Sequence, residues 1–234
     1  MNRGDVRGER RELIRGCGVY LVTEESLSGG RRSEEIVEAV LEAGVRVVQV
    51  REKQGPARRA WEIARAARAA TSRHGALLLV NDRVDLALAV GADGVHVGQE
   101  DLPLAVARRL LGLDAVIGLS ITDAIQLGAA DARDADYLGV GAVFPTGSKP
   151  GAALTGLPLL AASRRAHAVP IVAIGGVTSA NAPDAIGSGA DAVAVIGAIV
   201  AAPDPAAAAR TLLAAVTAAR ASAAAPSRIG VGRR

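Results

Sequence analysis

The chain has 234 residues, which fits one large domain, and half of them are apolar although only 2% are aromatic. The single cysteine, Cys17, excludes an internal disulfide framework, and no apolar run is long enough to predict a membrane span. Residues 1–16 carry a charge of +2 and residues 228–234 carry +3, which leaves −2 for the rest of a chain whose net charge is +3. We therefore expect a cytoplasmic protein that binds neither nucleic acid nor membranes.

The predicted elements alternate along the chain. Residues 1–16 are basic, and we predict a disordered arm there. Short β-branched runs then alternate with longer stretches of helical period, which is typical of repeated βα units. The predicted strands are 18–23, 45–51, 76–81, 94–98, 115–120, 137–143, 170–176 and 191–197. The predicted helices are 33–43, 57–73, 83–90, 103–110, 122–130, 157–167, 179–187 and 205–222. Residues 224–234 are predicted to be a disordered basic tail.

The number of repeats predicts the fold class. Eight strands, each followed by a helix, favour a single α/β domain over residues 17–223, a closed (β/α)8 TIM barrel, over an open doubly wound sheet. In such barrels the active site lies at the carboxyl ends of the strands. The polar residues at those ends are therefore the candidates for function.

Polar residues follow the second predicted strand, in the sequence Gln49-Val50-Arg51-Glu52-Lys53. The two-residue period of a strand places Gln49, Arg51 and Lys53 on one side, and Val50 and Glu52 on the other. Two cations and an amide would then face the mouth of the barrel. A salt-bridge cluster at the edge of the barrel explains the same residues equally well.

Two carboxylates follow the third and fourth strands. Asp82 comes directly after Asn81, and Asp101 lies in the next strand's loop. Because Mg²⁺ is typically held by one or two carboxylates together with phosphates and water, the pair predicts one Mg²⁺ per subunit. Taken singly, Asp82 also fits a helix N-cap and Asp101 a loop turn.

The fifth and sixth strands end in hydroxyl groups. Ser120 ends the fifth strand, where a helix cap before Thr122 is the alternative. The loop after the sixth strand combines hydroxyls, glycines and a lysine, which suits a phosphate or diphosphate. Its candidate residues are Thr146, Gly147, Ser148 and Lys149.

The last two strands end in glycine. Gly176 follows the seventh strand, and Ile196 and Gly197 end the eighth. Glycines let backbone N–H groups approach a phosphate, and the start of a helix favours an anion. The loops after strands 7 and 8 form the usual phosphate site of this fold.

Three histidines limit the mechanism. His74 and His167 precede strands, on the face opposite the predicted site, and His96 lies within the fourth strand. For His96 we expect a packed or hydrogen-bonded core residue rather than a proton shuttle. No Ser-His-Asp arrangement is evident in the sequence. Two phosphorylated substrates meeting in one mouth therefore explain the candidates better than a hydrolase does.

The same residues resemble the thiamine-phosphate synthase family, from 20–23 to Ile199. The segments that carry the resemblance are QVREK (49–53), NDRVDLALAVGADGVHVGQEDLP (81–103), GLS (118–120), YLGVGAVFPTGSKPGA (137–152), AIGGV (173–177) and AVIGAI (194–199). The resemblance implies an enzyme that joins an aminopyrimidine diphosphate to a thiazole phosphate, or its carboxylated form. The products would be thiamine phosphate and diphosphate, formed by a dissociative substitution assisted by Mg²⁺.

The resemblance also implies roles for individual residues. The pyrimidine diphosphate is assigned to 49–53, which includes Val50 and Glu52, and to Asn81, Ser120 and Lys149. Arg51, Lys53, Ser120 and Lys149 would be catalytic, and Asp82 and Asp101 would bind the Mg²⁺. The thiazole phosphate is assigned to Thr146, Gly147, Ser148, Gly176, Ile196 and Gly197. Gly197 stands where many relatives have serine, so we expect weakened phosphate binding there.

Two other functions stay open. A related thiazole tautomerase on a similar barrel would not need the aspartate pair, and the histidine it is expected to carry beyond the fifth strand is missing where Ile121 and Thr122 stand. A non-catalytic sensor of phosphorylated ligands would bind without turnover. The sequence also leaves homo-oligomer formation open.

Overall fold

A computed structural model describes residues 5–147 and 154–224. Its strands are β1 (Val19–Val22), β2 (Val47–Val50), β3 (Leu77–Asn81), β4 (Gly94–Val97), β5 (Val116–Ile121), β6 (Tyr137–Val140), β7 (Ile171–Ile174) and β8 (Ala192–Val195). All pair in parallel in chain order, and β8 pairs with β1, so the sheet closes into a barrel. The predicted (β/α)8 barrel is confirmed, and every predicted strand overlaps an observed one.

Helices surround the barrel. They are α1 (Val6–Gly16), α2 (Ser33–Glu42), α3 (Ala57–Arg73), α4 (Val84–Val90), α5 (Leu104–Leu111), α6 (Ala130–Asp134), α7 (Gly156–Ala166), α8 (Ala182–Gly187), α9 (Gly197–Val200) and α10 (Pro205–Ala224). Single 3₁₀ turns occur at Glu25–Leu27 and Gln126–Gly128. In the described part of the chain, no helix is long and apolar enough to cross a membrane.

Alternation along the strands divides the core into two layers. In β2, Val48 and Val50 pack with the surrounding helices, while Val47 and Gln49 point into the barrel. The outer layer is built mainly from Val, Leu, Ile and Ala, as the aromatic-poor composition predicts. The inner layer contains both tyrosines, Tyr20 and Tyr137, which are buried. This alternation decides which side chains point into the barrel and which pack against the helices.

The predicted disordered arm over 1–16 is wrong for residues 6–16, which form α1. Asp5 caps this helix by accepting a hydrogen bond from the Gly8 N–H at 2.9 Å. Ile14 is fully buried and packs in the barrel interior beside Tyr20 and Tyr137. The helix therefore closes the end of the barrel opposite the predicted site.

Three aspartates hold this closed end together. Asp93, Asp136 and Asp191 stand directly before β4, β6 and β8. Each carboxylate accepts the backbone N–H of a residue in the preceding strand at 2.8 Å. Each aspartate also pairs with an arginine of the helix that leads into this preceding strand. The arginines are Arg68 in α3, Arg108 in α5 and Arg164 in α7. The charges of these aspartates are thus matched within the fold.

The arginines of α1 complete the same clusters. Arg10 contacts Asp93 at 2.7 Å, and Arg15 contacts Asp191 at 3.2 Å. Arg7 lies 3.5 Å from Asp136. The basic character of the arm, which suggested disorder, arises because these side chains bind carboxylates of the barrel.

The predicted helix over 122–130 is also wrong. The Asp123 carboxylate accepts the N–H groups of Ile125 and Gln126 at 2.8 and 3.0 Å, and Gln126 bonds back to Thr122. Such local bonds compete with helix formation, so the segment forms turns and the helix begins at Ala130. Most of the predicted tail, 225–234, lies outside the described residues.

Candidate active site

A cavity of about 710 Å³ opens at the carboxyl ends of the strands. This volume suits small-molecule ligands. Most of the predicted site residues line it, namely Gln49, Arg51, Lys53, Asn81, Asp82, Asp101, Ser120, Thr146, Gly147, Gly176, Ile196 and Gly197. Ser148 and Lys149 lie outside the described residues. The cavity also has lining residues that sequence reasoning did not assign, including Tyr20, Tyr137 and Thr178.

The end of β2 separates into lining and non-lining residues. Gln49 is 4% exposed and projects into the cavity, and Arg51 and Lys53 line the mouth. Val50 is buried against the helices, and Glu52 does not line the cavity. The strand period therefore correctly predicts that both side chains point away from the cavity, so any contact of Val50 or Glu52 with a substrate would be through the backbone.

Arg51 is held in place by the end of β1. Its guanidinium pairs closely with Glu24, and its backbone N–H donates to the Thr23 hydroxyl at 2.9 Å. Both members of the ion pair are largely buried, with side chains 15% and 14% exposed. A guanidinium carries five N–H donors in a planar fork, so Glu24 orients the fork while other donors can face the cavity.

Lys53, Asp82 and Asp101 form a charged cluster at the ends of β2, β3 and β4. Lys53 Nζ lies 2.7 Å from Asp82 Oδ2, and the Gly98 N–H donates to Asp101 Oδ2 at 2.7 Å. Removal from solvent and the nearby Asp82 carboxylate raise the pKa of Asp101. Two carboxylates that repel each other at a half-buried site are stabilised by a cation.

Backbone conformation supports the placement of Asp82. It has a φ of +60°, which is the left-handed conformation and uncommon outside glycine, asparagine and aspartate. The N-cap of α4 is Arg83, so Asp82 does not cap that helix. The left-handed turn aims the Asp82 carboxylate at the cavity rather than at the start of the helix.

The donor set fits Mg²⁺ better than a transition metal. Among residues 5–147 and 154–224, no group of three or more His, Cys, Asp and Glu side chains could hold an ion. Zinc sites need three or four protein ligands, usually nitrogen or sulfur. Mg²⁺ often takes only one or two carboxylates and fills its shell with phosphate oxygens and water. Asp82 and Asp101 match that requirement.

Glycines shape the other half of the mouth. Gly175 and Gly176 have φ values of +95° and +66°. A Cβ on Gly176 would lie 2.3 Å from the Pro145 carbonyl oxygen, so only glycine lets the loop after β7 pack on the loop after β6. Gly197 begins the short α9 beside Ile196. These backbones border the cavity where the thiazole phosphate was assigned.

Ser120 is part of a buried polar network. Its Oγ lies 2.9 Å from His96 Nε2, and His96 Nδ1 lies 2.9 Å from the Tyr137 hydroxyl. That hydroxyl lies 2.9 Å from the Tyr20 hydroxyl, to which Gln49 Nε2 donates. The helix-cap alternative for Ser120 is wrong, because Ser120 lies within β5 and no described helix begins at Thr122.

The network also separates this site from a serine hydrolase. A catalytic triad places a carboxylate on the histidine nitrogen remote from the serine. Here that nitrogen bonds the Tyr137 hydroxyl instead. The hydrogen-bonded core role predicted for His96 is confirmed, while His74 pairs with Glu38 and His167 bonds the Leu127 carbonyl.

Comparison with known proteins agrees with the fold and the cavity. A family model described as thiamine monophosphate synthase matches residues 19–199. Thiamine-phosphate synthase of Haloquadratum walsbyi is 50% identical over 196 residues, 82% of this chain and 88% of that protein. The same enzyme from Moorella thermoacetica is 49% identical over 203 residues, 86% and 97% of the two chains. A solved thiamine phosphate pyrophosphorylase from Pyrococcus furiosus has a TM-score of 0.81 and 37% identity, covering 88% of this chain and 98% of that one.

A closed (β/α)8 barrel whose strands end at a cavity lined by charged and polar side chains is the architecture of barrel enzymes. The family match extends from β1 to α9 and so includes every strand. The chain belongs to the thiamine monophosphate synthase family and is a transferase of thiamine biosynthesis.

Proposed function

We propose that the chain joins an aminopyrimidine diphosphate to a thiazole phosphate, releasing thiamine phosphate and diphosphate. One observation supports the proposal: a single cavity is lined by two separate sets of groups whose chemistry suits phosphates. Lys53 with the aspartate pair lies at the ends of β2 to β4, and the glycine loops lie after β7 and β8. An isomerase acting on one thiazole phosphate needs only the second set.

The first set would hold the pyrimidine diphosphate. Asp82 and Asp101 would bind one Mg²⁺ per subunit, which when bound supplies positive charge to the departing diphosphate. Lys53 contacts Asp82, so its ammonium group lies beside the same phosphate position. Arg51, oriented by Glu24, offers its remaining donors to a neighbouring oxygen. Asn81, Gln49 and Ser120 line the adjoining wall.

The second set would hold the thiazole phosphate. Thr146, Gly147, Gly176, Ile196 and Gly197 line this part of the cavity and present hydroxyl or backbone groups. Ser148 and Lys149 continue the same loop in the sequence and are proposed to contact the phosphate and diphosphate respectively. The two substrates would then meet above Tyr137 and His96, between the two sets.

The proposed reaction breaks one carbon–oxygen bond and forms one carbon–nitrogen bond. The bond between the pyrimidine methylene carbon and the diphosphate oxygen breaks, and its electron pair leaves with the diphosphate. The lone pair of the thiazole nitrogen then bonds the methylene cation. Cations fixed around the leaving group stabilise the charge that develops on it.

Because the thiazole nitrogen carries no proton, this substitution needs no general base. The single cysteine of the chain is also not placed to act as a nucleophile in this reaction. Burial raises the pKa of the Cys17 thiol to about 12, and Cys17 does not line the cavity. The cavity therefore has cations and hydrogen-bond donors where the reaction needs them, without a thiolate nucleophile.

An Asp82→Asn variant tests the proposed metal site. Asparagine tolerates the left-handed backbone, so the variant keeps the turn while removing the charge. We expect thiamine phosphate formation to fall by at least about 100-fold, because the variant would bind less of the Mg²⁺ that stabilises the leaving group. Asp85→Asn is the matched control, since Asp85 is 67% exposed and pairs with Arg83 on the surface.

The outcomes separate the alternatives. Product formation that survives Asp82→Asn and chelation of Mg²⁺ contradicts the metal-assisted mechanism. A wild-type protein that isomerises a thiazole substrate without using the pyrimidine is a tautomerase. A wild-type protein that binds both ligands without forming product is a sensor.

A further inference from the structure

We propose that Tyr20 and Tyr137 are positioning residues that orient Gln49 and Ser120 toward the pyrimidine substrate. The inference rests on the proposed function, because it concerns how that substrate is held. Both tyrosines lie on the floor of the cavity, below the charged groups that would bind diphosphate. They connect walls of the barrel that are not adjacent in the sheet.

The connection crosses the barrel from β2 to β5. Gln49 donates to the hydroxyl of Tyr20, which contacts the hydroxyl of Tyr137 at 2.9 Å. Tyr137 reaches His96 Nδ1 at 2.9 Å, and His96 Nε2 reaches Ser120 Oγ at 2.9 Å. Five side chains from five strands thus form one chain of hydrogen bonds. The orientation of each member constrains the next.

Burial of the tyrosines indicates a role beyond packing. The chain has only two tyrosines, and both belong to this network. Tyr20 is 1% exposed and Tyr137 is fully buried. Phenylalanine would fill the same space without burying a hydroxyl that requires a partner. The aromatic-poor core elsewhere uses Val, Leu, Ile and Ala.

Two glycines make room for the rings. A Cβ on Gly118 in β5 would lie 2.1 Å from Tyr137 Cζ and 2.5 Å from His96 Nδ1. A Cβ on Gly139 in β6 would lie 2.8 Å from His96 Cε1. Both strands therefore lack side chains where the Tyr137 and His96 rings meet, at a centroid distance of 5.4 Å.

When the Gln49 amide is oriented with Nε2 toward Tyr20, one direction of the hydrogen bonds satisfies every hydroxyl. Gln49 donates to Tyr20, so the Tyr20 hydrogen goes to Tyr137, and the Tyr137 hydrogen goes to His96 Nδ1. His96 then carries its hydrogen on Nε2 and donates to Ser120. The reverse direction would leave the buried Tyr20 hydrogen without an acceptor in this network. Ser120 is therefore an acceptor from His96 and directs its own hydrogen to the ligand.

A Tyr137→Phe variant breaks the network at its centre while keeping the ring. The probe is the pyrimidine alcohol that lacks the diphosphate, so that binding reports the pyrimidine alone. We expect its affinity to fall roughly tenfold, the effect of one lost hydrogen bond at the upper end of its usual range. Affinity for the thiazole phosphate should stay within about twofold, because the other half of the mouth is unchanged.

Two further readouts distinguish positioning from a general structural role. The chain has three histidines, so ¹⁵N-histidine NMR resolves the tautomer of each. We expect Nε2–H for His96 in the wild type, and a changed ¹⁵N chemical shift of Nδ1 in Tyr137→Phe, because Nδ1 loses the hydrogen bond that it accepts. Tyr20→Phe should also weaken pyrimidine binding but keep the Nδ1 shift of His96, because Tyr137 still donates to it. The double variant with Tyr137→Phe and Ser120→Ala should lose less pyrimidine affinity than the product of the fold-losses of the two single variants.

Thr71→Val is the control for loss of a buried hydroxyl. Thr71 is fully buried in α3 and bonds the Arg68 carbonyl, outside the cavity. It should leave pyrimidine affinity unchanged. If Tyr137→Phe fails to fold, Tyr20→Phe replaces it, since it keeps its ring, interrupts the same network and should weaken pyrimidine binding.

Unchanged pyrimidine affinity in a folded Tyr137→Phe, with an unchanged ¹⁵N shift of His96 Nδ1, would overturn the positioning role. So would losses in Tyr137→Phe and Ser120→Ala that multiply independently. A wild type that binds the pyrimidine alcohol yet forms no product contradicts the proposed reaction but not the positioning role. A wild type that does not bind the pyrimidine alcohol contradicts both the proposed reaction and the positioning role.

Discussion

Truncating Ile14 tests whether α1 is part of the barrel. Ile14 is fully buried among the inner-layer residues, so Ile14→Ala removes buried apolar atoms and leaves a gap below Tyr20 and Tyr137. The transfer term is about 0.8 kcal/mol per buried carbon, and an unfilled cavity adds to it. Since α1 lies at the end of the barrel and can shift, we expect the free energy of unfolding to fall by about 3 kcal/mol.

Thermal unfolding followed by circular dichroism measures this loss. For a chain of this size the melting temperature should fall by about 6–12 °C. Ile125→Ala is the matched control, because Ile125 is 88% exposed and the same substitution there should change the free energy by less than about 0.5 kcal/mol. Equal, small effects of the two substitutions would refute the docking of α1 and favour a disordered arm.

Three further predictions follow from other parts of the structure. Asp136→Ala should lower the free energy of unfolding by about 3–5 kcal/mol in urea titrations, because Arg108 loses the partner of a buried ion pair; a loss under about 1 kcal/mol would contradict that role. Gly197→Ser should tighten thiazole phosphate binding in calorimetry by adding a hydroxyl at α9, and a wild-type affinity equal to or better than the variant's would contradict this. With a pKa of about 12, Cys17 should be about one part in ten thousand thiolate at pH 8, so disulfide reagents should modify it far more slowly in the folded protein than after denaturation.

Most of the fold followed from local sequence patterns. Runs such as ALLLVN (76–81) match observed strands because period and composition are local properties. Site residues at strand ends were also predictable, because closing the barrel brings all carboxyl ends together. Alternation correctly separated Gln49, whose side chain lines the cavity, from Val50, whose side chain packs against the helices.

The helix α1 was missed for a physical reason, which is contact between distant parts of the chain. The partner of Arg10 is 83 residues away and that of Arg15 is 176 residues away, so α1 looked like a solvated basic segment. A signal was present, since each helix arginine precedes its aspartate by 25 to 28 residues. That repeat could have marked the carboxylates at the closed end.

The tyrosine network was missed for the same reason. Tyr20 and Tyr137 are 117 residues apart, and each stands inside an apolar strand that reads as core. The glycines at 118 and 139 were the available signal, because a small residue inside a strand marks a close approach. Only the closed barrel shows which rings fill those spaces.

The central claim is that one cavity joins two phosphorylated substrates. The most direct test incubates the purified protein with the aminopyrimidine diphosphate and the thiazole phosphate, with Mg²⁺ or with a chelator, and measures both products. We predict thiamine phosphate and diphosphate in equal amounts, only when both substrates and Mg²⁺ are present. Diphosphate release without thiamine phosphate, or equal product in the presence of the chelator, would contradict the account.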